Sequence, residues 1–217
     1  MGGQTGSPAG GHSHLRHYQA ADTDAPWLAK AGDLHGHLGP WVVVGAMIGR
    51  DAIERLNTDG QWEIEVICWM PQAKQRPPFT CILDGLQASS GATMGKRNIR
   101  MDDGPAITET GEPVVHVVHK RADGTVDAGV VYEMAPVLAD ILARSSPDRI
   151  EAIAREIAGH PPDELFVIRS MTAEELTRTR LDPTGSTGRA RTHSRSLWSV
   201  FGPGFSVERF GRHLPFS

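Results

Sequence analysis

Apolar positions recur along the chain with two periods, and each period marks a different kind of element. Trp41–Asn57 (WVVVGAMIGRDAIERLN) is apolar nearly all round at its start and gains a polar face only from Arg50 onward, with Pro40 at a favoured first-turn position. This predicts a buried helix whose Gly45 and Gly49 admit another backbone at close range. Trp62–Met70 alternates Trp62, Ile64, Val66, Cys68 and Met70 against Glu63 and Glu65, the pattern of a half-buried strand. After the break at Pro77–Pro78, a small-residue helix is predicted from Cys81 to about Ala92. Val114–Lys120 and Ala128–Glu133 read as strands joined through the turn signal Asp123–Gly124. Helices follow over Pro136–Ala143 and Pro147–Ala158, the second with Ser146 as its cap and Ile150, Ile153 and Ile157 on one stripe. Leu165–Ile168 reads as a short strand, and Thr172–Glu175 as a capping box that opens a last helix. Helices mixed with antiparallel strands, without a repeating βαβ period, predict an α+β fold with a mixed or antiparallel sheet and packed helices.

The ends of the chain differ from this core. Residues 1–25, rich in Gly, Ser, His and Asp, read as a flexible arm, with the domain at 26–182. His12, His14 and His17 in that arm read as adventitious metal collectors rather than a built site. Residues 183–217 carry five arginines against Glu208 alone, a net +4, interleaved with the aromatic run LWSVFGPGF. Such a basic, aromatic tail is expected to pack on its own domain or on a dimer partner.

Composition narrows the classes. With 217 residues, 39% hydrophobic and 22% charged, the chain suits one sizeable globular domain. A net charge of −4 makes nucleic acid an unlikely partner. No apolar run approaches a membrane span, and the N-terminal sequence has no apolar leader pattern. Two cysteines, Cys68 and Cys81, suit a reducing compartment, so a cytoplasmic protein is expected.

Two segments carry chemistry. In His35-Gly36-His37-Leu38-Gly39-Pro40 the histidines at i and i+2 share a face if the chain is extended there, as a lead-in to the helix at Pro40 requires. The electropositive helix start would keep both rings neutral, the state needed by a metal ligand or a neutral donor. In the second segment Cys81 falls in the first helical turn, where the dipole favours the thiolate that nucleophiles and metals need. Asp84 and Gln87 follow close to the same face, and Gly91–Lys96 (GATMGK) turns the chain and offers Thr93 and Lys96. That loop lacks the spacing and the terminal Ser/Thr of a phosphate loop, which excludes an NTPase.

The order HGHLGP, then CxxDGxQ at Cys81–Gln87, then GxTxGK at Gly91–Lys96 resembles the FmdE-like family, named for a component of formylmethanofuran dehydrogenase. The resemblance runs from about Leu34 to Arg100 and more weakly to about Met171. It implies a fold related to the catalytic domain of glyceraldehyde-3-phosphate dehydrogenase, a homodimer, and a divalent transition metal, commonly zinc. His35, His37 and Cys81 map onto the metal-site positions, and Asp84, Thr93 and Lys96 onto the polar residues beside them. Many relatives place cysteines where Gly39 and Ala92 stand here and end in a CxxC ribbon that this chain lacks, so a thiol-rich cluster is not expected.

Two functions follow. The leading one is a metal-dependent hydrolase or lyase acting on a small, anionic metabolite. Its metal would be held by His35, His37 and Cys81, with Asp84 or His116 moving protons, Lys96 pairing with the anion, and Thr93 and Gln87 binding the ligand. The alternative is a non-catalytic metal- or cofactor-binding accessory protein of a molybdenum or tungsten oxidoreductase. An enzyme should enclose Asp84 and Lys96 in one pocket beside the metal, whereas an accessory protein should present an open or apolar-rimmed site.

Overall fold

A computed structural model describes residues 18–103 and 111–181. Its elements are α1 (Pro26–His35), α2 (Pro40–Leu56), β1 (Ile64–Trp69), α3 (Ile82–Ser90), β2 (Ile99–Asp102), β3 (Val114–Lys120), β4 (Val126–Met134), α4 (Pro136–Ala143), α5 (Ile150–Ala158), the single-turn α6 (Pro162–Leu165), β5 (Phe166–Ser170) and α7 (Ala173–Leu181). The strands form one sheet in the order β2-β1-β3-β4-β5, with β1–β2 parallel and the other pairs antiparallel. The fold is therefore α+β with a mixed sheet. Among the described residues no helix is long and apolar enough to cross a membrane.

Strand alternation sends Val66, Cys68, Val115, Val117, Val130 and Tyr132 from the sheet into the main core, where they meet α2, α3 and α5. Val114, Val118 and Val131 point the other way, into a smaller cluster with Trp69, Met171 and Leu176 of α7. Because both faces are covered, β3 is buried at five consecutive positions, Val114–Val118.

The apolar start of α2 is covered within its own chain. Trp41–Gly49 is buried without a break, and α2 packs on α1, α3, α5 and the sheet. Gly45 meets the α3 backbone at Ile82 and Leu86, and Gly49 meets Ser89 and Ser90. The close approach expected at these glycines is thus between α2 and α3. The apolar start of α2 has its partner inside one chain.

Several expectations are corrected. Alternation puts Trp62 on the buried face of a strand, but β1 begins at Ile64 and Trp62 is 68% exposed. Neither α1 nor β2 is predicted by the sequence pattern. Residues 18–25, assigned to the arm, are docked: Tyr18 is buried, and its hydroxyl donates to Asp24, which also takes two hydrogen bonds from Arg155 of α5. That arginine holds the Asp24 carboxyl well below the usual carboxylate range. The rest of the arm and the basic, aromatic tail lie outside the described residues. The capping box forms as expected, with Glu175 N–H donating to Thr172 Oγ1 and Thr172 N–H to Glu175 Oε2.

Candidate functional site

The site begins where α1 ends. His35 is the last residue of α1, and the chain leaves through Gly36 at φ +88°, whose N–H bonds to the Gly32 carbonyl. This departs from the extended lead-in read from the sequence, because His35 belongs to a helix C-terminus. The turn at Gly36 still brings the rings of His35 and His37 together, with centroids 4.5 Å apart and planes tilted by 46°. Gly39 lies beneath His37, where an added Cβ would stand 3.2 Å from Nε2, and Pro40 then starts α2.

The facing wall comes from α3. A 3₁₀ turn, Phe79–Cys81, leads into this helix, so Cys81 sits at its cap and Asp84 one turn further on the same side. Asp84 Oδ2 lies 2.7 Å from His35 Nδ1. The Gln87 side-chain amide reaches Asp84 Oδ1 at 3.5 Å, and its oxygen accepts from the Met94 N–H. His35 Nε2 is buried without a hydrogen-bond partner, and Cys81 is a close neighbour of the ring. Cys81, with Asp84 helping and burial opposing, raises the His35 pKa to about 9. Burial and the neighbouring His35 charge lower that of His37. The expectation that both rings are kept neutral thus holds in direction for His37 and fails for His35. A half-open cavity of about 440 Å³ is lined by His35, Thr80, Cys81, Asp84, Gln87 and Met94.

Lys96, Thr93 and His116 do not line this cavity. Lys96 Nζ donates to the Gly91 carbonyl and to Gln61 Oε1 and lies over the Trp62 ring. Thr93 Oγ1 accepts from the Lys96 N–H, closing the turn. The loop is held from inside by Asn98, a residue outside every sequence motif: 3% exposed, it accepts from Thr93 N–H and donates to the Gln61 and Ile64 carbonyls. The only sequence signal for it is an Asn between a turn and a short apolar run.

His116 lies on the face of β3 opposite Val115 and Val117, so the sheet separates it from the helices that carry the cavity. It stacks edge-on against Trp69 at 5.7 Å, and burial lowers its pKa from 6.5 to about 4. A neutral ring in the fold and a titrating one in the unfolded chain mean stability that is full above pH 6.5 and lost as pH falls toward 4. His116→Phe is therefore expected to leave any bound metal in place. It should also remove most of the wild-type loss between pH 7 and pH 4.5, about 2 kcal/mol, as read from urea midpoints. Equal pH dependence in the two proteins would contradict this.

Among the described residues no group of three His, Cys, Asp or Glu side chains stands at metal-holding spacing. His35 and Cys81 share the lining of the cavity, and His37 stacks on His35. Comparison with known proteins adds one match and one blank. No curated protein matches the chain. The family model described as FmdE, molybdenum formylmethanofuran dehydrogenase operon, matches residues 34–167, a span that begins one residue before His35 and includes Cys81, Asp84 and most of the sheet. The chain belongs to the FmdE family.

Proposed function

We propose that the chain is a non-catalytic, metal-binding accessory protein serving a molybdenum or tungsten oxidoreductase. His35 and Cys81 would hold a divalent ion, zinc by preference, and His37 would complete the set by turning its ring toward them. One observation carries this reading: His35 Nε2 is buried with no hydrogen-bond partner, Cys81 is near enough to the ring to raise its pKa, and Asp84 grips Nδ1. A carboxylate on the far nitrogen orients a ligating imidazole, and a bound ion would displace the proton that the raised pKa keeps on the His35 ring. Imidazole and thiolate are donors that zinc accepts, and a half-open cavity leaves a coordination position for an exogenous group. The bound ion would supply Lewis acidity at the cavity floor.

The family description names an operon of a molybdenum enzyme, which favours the accessory role. The hydrolase or lyase reading is weaker, since Lys96 and His116 point elsewhere and Asp84 is already engaged with His35.

Metal analysis of untagged protein tests the proposal. About one equivalent of zinc or a similar ion per chain is expected, falling below about a tenth of that in His35→Ala and in Cys81→Ala. Deleting residues 1–17, with the three arm histidines, should leave it unchanged. Metal that survives in the point variants and vanishes with the arm would sink the assignment.

A further inference from the structure

The Pro77–Cys81 segment is a wall with two sides. Pro77, Thr80 and Cys81 line the His35 cavity, whereas Pro78 and Phe79 line a second, half-open cleft of about 520 Å³. That size is within the range of small-molecule sites. The cleft is walled by Trp41 and Phe79, packed edge to face at 5.3 Å, and by Met134, Leu142 and Ile150. Its polar lining is confined to Glu112, Ser145 and Ser146, and Lys74 Nζ lies 2.6 Å from Glu112 Oε1.

The charges at its margin are mixed. Glu112 is matched by Lys74 and Asp148 is hydrogen-bonded to the lining Ser146, which leaves the Arg76 guanidinium, 5.9 Å from the Phe79 ring centre, as a cation beside the aromatic wall. The cleft also receives two helix N-termini, α2 through Pro40 and Trp41, and α5 through Ile150. The α2 end presents a positive dipole, whereas the α5 end is already met by Asp148 and Glu151. Flat apolar walls call for a ring system, and the Arg76 guanidinium beside Phe79 calls for an acidic group on it.

We propose that this cleft is a binding site for a small amphipathic organic acid, an aromatic or similarly flat body carrying one anionic group. The site does not depend on the metal reading, because none of the cleft's lining residues is a proposed metal ligand.

The test uses two probes that share a ring system, 8-anilinonaphthalene-1-sulfonate and the uncharged N-phenyl-1-naphthylamine, titrated into the full chain and read by fluorescence. Both are expected to saturate at one site per chain. Ala139 and Ala143 line the cleft from the exposed side of α4, so Ala139→Trp and Ala143→Trp fill it without entering the core. Each should weaken both probes at least tenfold while circular dichroism and metal content stay at wild-type values. Arg76→Ala should weaken the sulfonate several-fold and spare the uncharged probe. Unchanged binding of both probes in both tryptophan variants would overturn the site. An equal effect of Arg76→Ala on the two probes, or no effect on either, would overturn the acid. If light scattering shows dimerisation that displaces the probes and is blocked by Ala143→Trp, the occupant is a second copy and the proposal fails. Loss of metal in His35→Ala is scored separately, so the two readings stand or fall apart.

Discussion

Gly85→Ala and Gly45→Ala are each expected to destabilise the fold by more than about 4 kcal/mol, enough to leave most of the protein unfolded or insoluble. A Cβ on Gly85 would land on the Val42 carbonyl oxygen and 2.6 Å from the Ala46 nitrogen. One on Gly45 would land on the Ile82 carbonyl oxygen and 2.9 Å from the Leu86 nitrogen. The obstacles are backbone atoms of the facing helix, which no rotamer change removes. Relief requires α2 and α3 to separate, and that opens the core around Val42, Ala46, Ile82 and Leu86, all fully buried. Gly95→Ala is the control, since its nearest neighbour, Thr93 Oγ1, lies at an ordinary 3.9 Å. It should stay within about 0.5 kcal/mol of wild type. Urea unfolding gives the comparison, and near-wild-type stability of Gly85→Ala would show that the helices do not pack as described.

The second large effect concerns the two thiols. Cys68 is fully buried on β1, and burial pushes its pKa up to about 12, so it should resist alkylation in the native protein under all conditions. Cys81 lines an open cavity and should label at least about tenfold faster than Cys68 once a chelator has removed metal. Zinc should then protect it. Asp84→Asn removes the carboxylate that orients His35 and should weaken metal binding about 10- to 100-fold, with the thiol protected only at correspondingly higher zinc. Mass spectrometry after timed labelling reads all three. A Cys81 that reacts equally fast with and without zinc is not a ligand. The ion, if present, would then rest on the two histidines without a thiolate.

What the sequence determined by itself is the set of elements whose signals are local. The unbroken apolar start of α2, the alternation in β1, the Asp123–Gly124 hairpin, the Ile153/Ile157 stripe and the Thr172–Glu175 box are each written within a few consecutive residues. The motif order that marks the family is of the same kind. It also brought the four residues His35, His37, Cys81 and Asp84 forward as chemistry. Tertiary structure alone decided the rest. The first helix, PWLAKAGDLH, buries only Leu28, Ala31 and Gly32, too little to show a period, so it exists through its contacts with α2 and α3. β2 is a four-residue edge strand that becomes a strand only by pairing with β1, some thirty residues away in the chain. Lys96 and His116 are ionisable residue types that the sequence could offer for catalysis, yet each direction is set from far away. Lys96 is captured by Gln61, and His116 sits in a strand apolar on both faces, where alternation gives no sign of which side meets the helices. A residue's type and its element follow from its neighbours in the chain, but the face it presents follows from register and packing, which are long-range.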